Sequence, residues 1–232
     1  MKTESLGGFD RFRVPAALLV IAIHTGPLLS LNGEANYLLT DILARIAVPF
    51  FFSVSGWFLV PRLLREGRAA LIPFVKKLLL LYGAAVLLYL PLNLYNHTLE
   101  ESGFALLRDV LFNGTFYHLW YFPALVLGAC LVYGLLRILG PRWAWLPALL
   151  LYAAGLLGDS YFGLTAALPP LRAGYEALFL LFDYTRNGLF FPPVFLLLGG
   201  WLALRPARRS AAWYGAGLLL SLALLLSLIH IS

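Results

Sequence analysis

The sequence predicts an all-α protein, a polytopic helical bundle integral to a membrane. Of its 232 residues, 61% are hydrophobic and only 12% charged, against roughly 45–50% apolar and about 25% charged in soluble domains. Mean hydropathy is +0.84. The apolar residues gather into seven runs separated by short polar or charged segments; a helix of about 20 such residues crosses a bilayer core.

The predicted spans are 14–31, 46–60, 78–95, 119–139, 143–157, 189–204 and 211–231. Pro15 suits the first turn of the first helix, where a missing N–H costs nothing. The second, fifth and sixth runs are short. Trp57, Trp143, Trp145 and Trp201 extend them as interfacial belt residues do. Pro49, Pro91, Pro123 and the Pro192-Pro193 pair lie in or near later runs. They predict kinks or broken segments, which a membrane tolerates where the backbone lines a cavity.

Charge sets the expected orientation. With the N-terminus inside, the inner loops hold Lys2, Arg11 and Arg13, then Arg62, Arg65, Arg68, Lys76 and Lys77, then Arg137 and Arg142, then Arg205, Arg208 and Arg209. These are 13 of the 17 Lys and Arg, while eight of the 11 acidic residues fall outside. Such an asymmetry places the N-terminus in the cytoplasm of a multi-pass chain. The basic residues are scattered between apolar spans, so a net charge of +6 reflects topology and not nucleic-acid binding. The single cysteine, Cys130, excludes an intrachain disulfide, and no zinc-type spacing occurs; no metal or bound cofactor is expected. Glu4 and Asp10 spoil the basic region of a signal peptide, so the first span is expected to be retained. Residues 1–232 read as one transmembrane domain. The run Ser227-Leu-Ile-His-Ile-Ser232 lacks a polar cap, and further sequence is expected beyond it.

The residues best placed for chemistry are Arg13 and His24. They bracket the run Val-Pro-Ala-Ala-Leu-Leu-Val-Ile-Ala-Ile. Eleven steps at 3.6 residues per turn make about three turns, so both face one way, roughly 16 Å apart along the axis. An ionisable group within a span is costly and is a functional candidate by default. A neutral imidazole can accept a proton from an alcohol, as a general base must; it can equally glue two helices by a hydrogen bond.

Arg62-Leu-Leu-Arg65 ends the second span and Arg68 follows. Spacing of three makes these neighbours if the helix continues. They suit phosphate through forked donors, or anionic lipid as ordinary topology-setting charge. Ser53, Ser55 and Gly56 put small groups into the second span, a packing feature that can also shape a site. His118-Leu-Trp-Tyr121 opens the fourth span as an aromatic belt or as a sugar-stacking platform. Asp183-Tyr-Thr-Arg186-Asn187-Gly precedes the sixth; its charges either grip a polar acceptor or pair within the loop. Walker loops, GxSxG elbows, HExxH and dinucleotide fingerprints are absent from the sequence, which argues against a nucleotide-driven pump or serine hydrolase.

Taken in order, these features resemble the acyltransferase 3 family of bacterial membrane O-acyltransferases. Phe9-Asp-Arg-Phe-Arg13 through His24 is similar to that family's opening, a basic residue, ten others and a histidine. Arg62-Leu-Leu-Arg65 matches its Arg-x-x-Arg motif. Val48-Pro-Phe-Phe-Phe-Ser-Val-Ser-Gly56 resembles its Pro-x-Phe-Phe-x-x-Ser-Gly run. His118-Leu-Trp-Tyr121 and Arg186-Asn-Gly-Leu-Phe190 resemble a subgroup that includes the membrane domain of vancomycin-resistance serine racemases.

The resemblance implies a bacterial inner-membrane enzyme. Its donor would be cytoplasmic acyl-CoA, most simply acetyl-CoA, as co-substrate. Its acceptor would be a hydroxyl of an envelope carbohydrate on the far side. It further implies His24 as the catalytic histidine, Arg13 as a donor-orienting residue, and Arg62 and Arg65 on the donor side; from the residue readings above, Arg68 is expected to join the donor side, and His118, Tyr121, Asp183, Arg186 and Asn187 the acceptor side. The family has about ten spans, so a chain with about seven would be C-terminally incomplete. Besides membrane lipid, acyl-CoA and the acceptor, no partner is implied. A transport protein for a small polar solute such as serine is the competing class.

Overall fold

A computed structural model describes residues 7–97, 102–116 and 118–205. The described residues are helices and turns, without strands. Three helices are long and apolar enough to cross a membrane: Gly33–Glu66, Arg68–Tyr95 and Tyr121–Ile138, with mean hydropathies of 1.7, 1.9 and 1.7. The predicted spans 14–31, 143–157 and 189–204 are also largely helical, but each is shorter or more charged than a full crossing requires. The seventh, 211–231, lies outside the described residues. Three of the seven predicted spans thus have full-length candidates among the described residues, and the count of seven is not confirmed.

By their contacts the residues fall into two compact units, one of the described residues 7–51 with 204–205, and one of Phe52–Ala203. In the first, α1 (Gly7–Thr25) begins earlier than predicted, so Pro15 lies inside the helix. The added turns are held by an Asp10–Arg13 ion pair of 2.9 Å and by Phe12, whose ring meets Phe50 edge-on at 4.8 Å. The helix also ends earlier. Gly26 takes φ +53°, a left-handed turn that glycine adopts without a Cβ penalty. Its N–H donates to the Ala22 carbonyl, and Pro27 follows. A short α2 (Gly33–Tyr37) is capped by Asn32, whose side chain accepts from the Ala35 N–H. It runs through a π-helical turn, Leu38–Leu43, and a 3-10 turn, Ala44–Ile46, into α3 (Ala47–Glu66). Ala16, Ile42, Ala44 and Ala47 are buried where α1 meets these turns.

In the second unit, α3 continues to Glu66. Gly67, at φ +59°, separates it from α4 (Arg68–Tyr95), whose 28 residues span about 42 Å. Then come α5 (Gly103–Arg108), a π-helical turn Asp109–Asn113, α6 (Tyr121–Ile138), α7 (Gly140–Trp143), α8 (Trp145–Gly158), α9 (Phe162–Ala166), α10 (Pro169–Leu178) and α11 (Pro192–Leu204). Prolines play a different role from the predicted one. Pro49, Pro123 and Pro192-Pro193 fall in first turns, where no intrahelical N–H is required. Pro91 alone of that set lies deep in a helix.

Polar side chains tie this unit together. The Asn93 amide donates to the Thr115 carbonyl at 2.9 Å, and the Tyr82 hydroxyl donates to the Val110 carbonyl at 3.0 Å. Both anchor the 103–116 segment on α4. Asn93→Leu is expected to cost about 2 kcal/mol, because it orphans a buried carbonyl. Denaturant titration in detergent checks this.

Candidate functional site

The first candidate group lies on α1. Its most covered stripe runs through Ala16, which is fully buried, and Leu19, Val20 and Ile23, which are half-buried. At 100° per residue Arg13 and His24 sit about 60–80° around from Ala16 and about 20° from each other. One unbroken helix joins them, so the expected alignment is present. His24 lies in the last turn and not at mid-helix, because Gly26 ends α1. Arg13 and His24 are both exposed. Arg13 donates through Nη1 to Asp10 Oδ1, a partner the motif reading overlooked although it lies three residues away.

The second group closes α3. Arg62 and Arg65 occupy its last two turns, and Glu66 is 3.4 Å from Arg62 and 3.7 Å from Arg65. One carboxylate thus partly neutralises two guanidinium groups. Arg68 belongs to the next helix, since Gly67 interrupts the run; the expected single face of three arginines does not form. All three arginines are exposed and available to an anion.

Ser53 and Gly56 mark a close helix approach. A Cβ on Gly56 would strike the Leu196 carbonyl, and one on Gly199 would strike the Ser53 carbonyl. α3 and α11 therefore touch backbone to backbone, as small residues permit in membrane bundles. Ser55 hydrogen-bonds Tyr121, whose ring stacks on Phe52 at 4.7 Å. The Gly199-Gly200 pair was the missing half of this signal.

The third group is polar and lies beside α5 and the loop before α11. Arg108 Nη2 is 3.1 Å from both Asp109 and Asp183. The Asn113 amide donates to Asp109 at 3.0 Å, and its oxygen accepts from the Asp183 N–H at 3.1 Å. Arg186 pairs with Asp159 at 3.0 Å and lies 5.6 Å from the Tyr184 ring centre. Asn187 is 1% exposed. Its side chain donates to the Tyr184 carbonyl and accepts from the Leu189 N–H, so it shapes the loop. His118 meets Tyr89 and Phe116 edge-on at 4.8 and 5.0 Å. Trp120 meets Tyr184 and Phe191, so these rings are engaged with one another.

Arg108, Asp109, Asn113, Asn93 and Asp159 were not singled out from sequence. Asn93 carried a readable signal, a polar residue inside an apolar run. The Arg108–Asp183 contact joins residues far apart in the chain. A double-mutant cycle of Arg108→Gln and Asp183→Asn is expected to give a coupling of about 1 kcal/mol, read by unfolding.

Residues 6–231 match the acyltransferase 3 family, described as an acyltransferase domain. The chain belongs to the acyltransferase 3 family. It is 45% identical over 209 residues to an amino-acid racemase of Enterococcus faecalis, covering 89% of this chain and 29% of that protein. A serine/alanine racemase of Enterococcus gallinarum is 42% identical over 225 residues, which are 93% of this chain and 32% of that one. The chain thus spans about a third of the length of the curated relatives it matches. No solved structure matches significantly. Among the described residues no cluster of His, Cys, Asp and Glu could hold a metal.

Proposed function

We propose that this acyltransferase 3 chain moves an acyl group, most simply acetyl, from cytoplasmic acyl-CoA to a hydroxyl of an extracytoplasmic carbohydrate at a bacterial inner membrane. The observation that carries this reading is one continuous helix holding Arg13 and His24 three turns apart, inside the family match. In the proposed reaction the His24 imidazole takes the proton of the acceptor hydroxyl. The freed oxygen attacks the thioester carbonyl, a C–O bond forms and the C–S bond breaks. The proton then passes from the imidazolium to the departing thiolate. Arg13 orients the donor. Arg62, Arg65 and Arg68 hold coenzyme A phosphates through forked donors. His118, Tyr121, Asp183 and Arg186 lie on the acceptor side, with Asn187 fixing the loop that carries two of them.

The test is acyl transfer from labelled acetyl-CoA to an envelope glycan, in membranes bearing the full-length protein. Transfer that depends on acetyl-CoA and is lost in His24→Ala supports the reading; transfer unchanged in that variant overturns it. Because the relatives carry racemase names, a second reading has this chain moving serine across the membrane. Serine uptake in vesicles without acyl-CoA would favour it.

Asp10 supplies a further check. It competes with any anion for Arg13. Asp10→Asn is expected to lower the KM for acyl-CoA about threefold, the size of an exposed ion pair, with kcat unchanged. An unaltered KM would remove Arg13 from the donor site.

A further inference from the structure

One cavity in the second unit lies beside the third group. It holds about 220 Å³ and is lined by Phe112, Leu127, Leu131, Phe182, Gly188 and Leu189. Its walls come from α6, from the turn after α5, and from the loop before α11. Gly188 lets that loop sit against α6, because a Cβ there would meet the Ala124 backbone at 3.0 Å. Phe112 and Phe182 meet edge-on at 5.3 Å. Their chain neighbours, Asn113 and Asp183, are joined by the 3.1 Å hydrogen bond from the Asp183 N–H. A wholly apolar slot therefore adjoins a charged rim. That rim holds Arg108 against Asp109 and Asp183, with the ion pairs described above. Two carboxylates to one guanidinium group leave it negative.

We propose that this cavity takes one hydrocarbon chain of a membrane amphiphile, and that the rim selects a headgroup bearing an ammonium group over one of net negative charge. An apolar slot that opens beside charge matches a molecule with both characters. The slot contributes burial of methylenes, and the negative rim contributes sign selection. The Tyr184 phenol reports the same field. Burial raises its pKa first, and Asp183 and Asp109 raise it further against the opposing effect of Arg186. The site shares Asp183 with the proposed acceptor side, but its readout is lipid labelling and not acyl transfer, so the two readings fail separately.

The experiment uses the full chain in nanodiscs with a monoacyl phosphatidylethanolamine carrying a diazirine in its tail, and the phosphatidylglycerol analogue in parallel. After photolysis, adducts are mapped by peptide. Saturable labelling of the segments around Phe112, Leu131 and Phe182 is expected. The ethanolamine probe should label about threefold more than the glycerol probe, and Asp183→Asn should bring that ratio close to one. Leu131→Trp fills the slot and should cut labelling about tenfold, equivalent to losing the burial of two methylenes. Leu127→Trp, from the neighbouring turn, serves if the first variant does not fold. Labelling that does not saturate and spreads evenly over the exposed leucines of α4 would mean lipid contact only and would overturn the site. So would labelling unaffected by either tryptophan. Equal labelling by both probes in the unaltered chain would overturn the headgroup selection.

Discussion

His24→Ala is expected to lower acyl transfer by at least about a hundredfold, because a positioned general base supplies roughly 10²–10⁴ of rate. The fold should survive. His24 is an exposed residue in the last turn of α1, and alanine is the best helix former. Activity and stability are therefore separable at this position. The measurement is transfer per folded molecule, with circular dichroism and gel filtration as the stability control. Arg13→Ala is expected to act differently, raising the KM for acyl-CoA more than it lowers kcat, with partial rescue by Arg13→Lys. A lysine keeps the charge but not the fork. Equal loss in the alanine and lysine variants would show that geometry outweighs charge; no loss in either would leave the α1 face without a donor role.

The largest structural effect is expected at Gly199. A methyl added there meets the Ser53 carbonyl and, at 2.8 Å, the Trp57 amide nitrogen. Those atoms are backbone and cannot swing aside, so α3 and α11 must separate. Gly199→Ala is expected to cost about 3 kcal/mol, the upper part of the range for overpacking. Gly134→Ala supplies the control. No atom lies within 4 Å of its added Cβ, and replacing an unpacked helical glycine stabilises by up to about 1 kcal/mol. Unfolding by a denaturing detergent should shift in opposite directions for the two variants. Equal shifts would mean that the α3–α11 approach is not tight in solution.

Several features were legible from residue order because they are local. Helical content follows from long apolar runs with no strand-like alternation. The Arg13–His24 alignment follows from helix periodicity. The Arg62–Arg65 pairing follows from spacing of three, and the family from motifs in sequence order. Other readings failed at helix ends. The first span was placed at 14–31, but α1 runs Gly7–Thr25, since Gly26 and Pro27 stop it and the Asp10–Arg13 pair extends its start. Arg68 was grouped with Arg62 and Arg65, but a left-handed Gly67 puts it on another helix. Prolines expected to break spans mostly sit in first turns.

What the sequence determined by itself is the solvent and the class: a helical membrane chain of the acyltransferase 3 family, with a histidine and an arginine on one face of its first helix. Those properties rest on composition and on contacts within a few residues. Only the tertiary structure decided which charges neutralise one another, that Asn187 is spent on its own loop, and that Gly56 and Gly199 bring two backbones together. It also decided that an apolar slot opens beside Asp183. These depend on pairs as distant in the chain as Asn113 and Asp183, or Ser53 and Gly199. No local periodicity encodes such pairs, because they form only when separate helices bury the same surface.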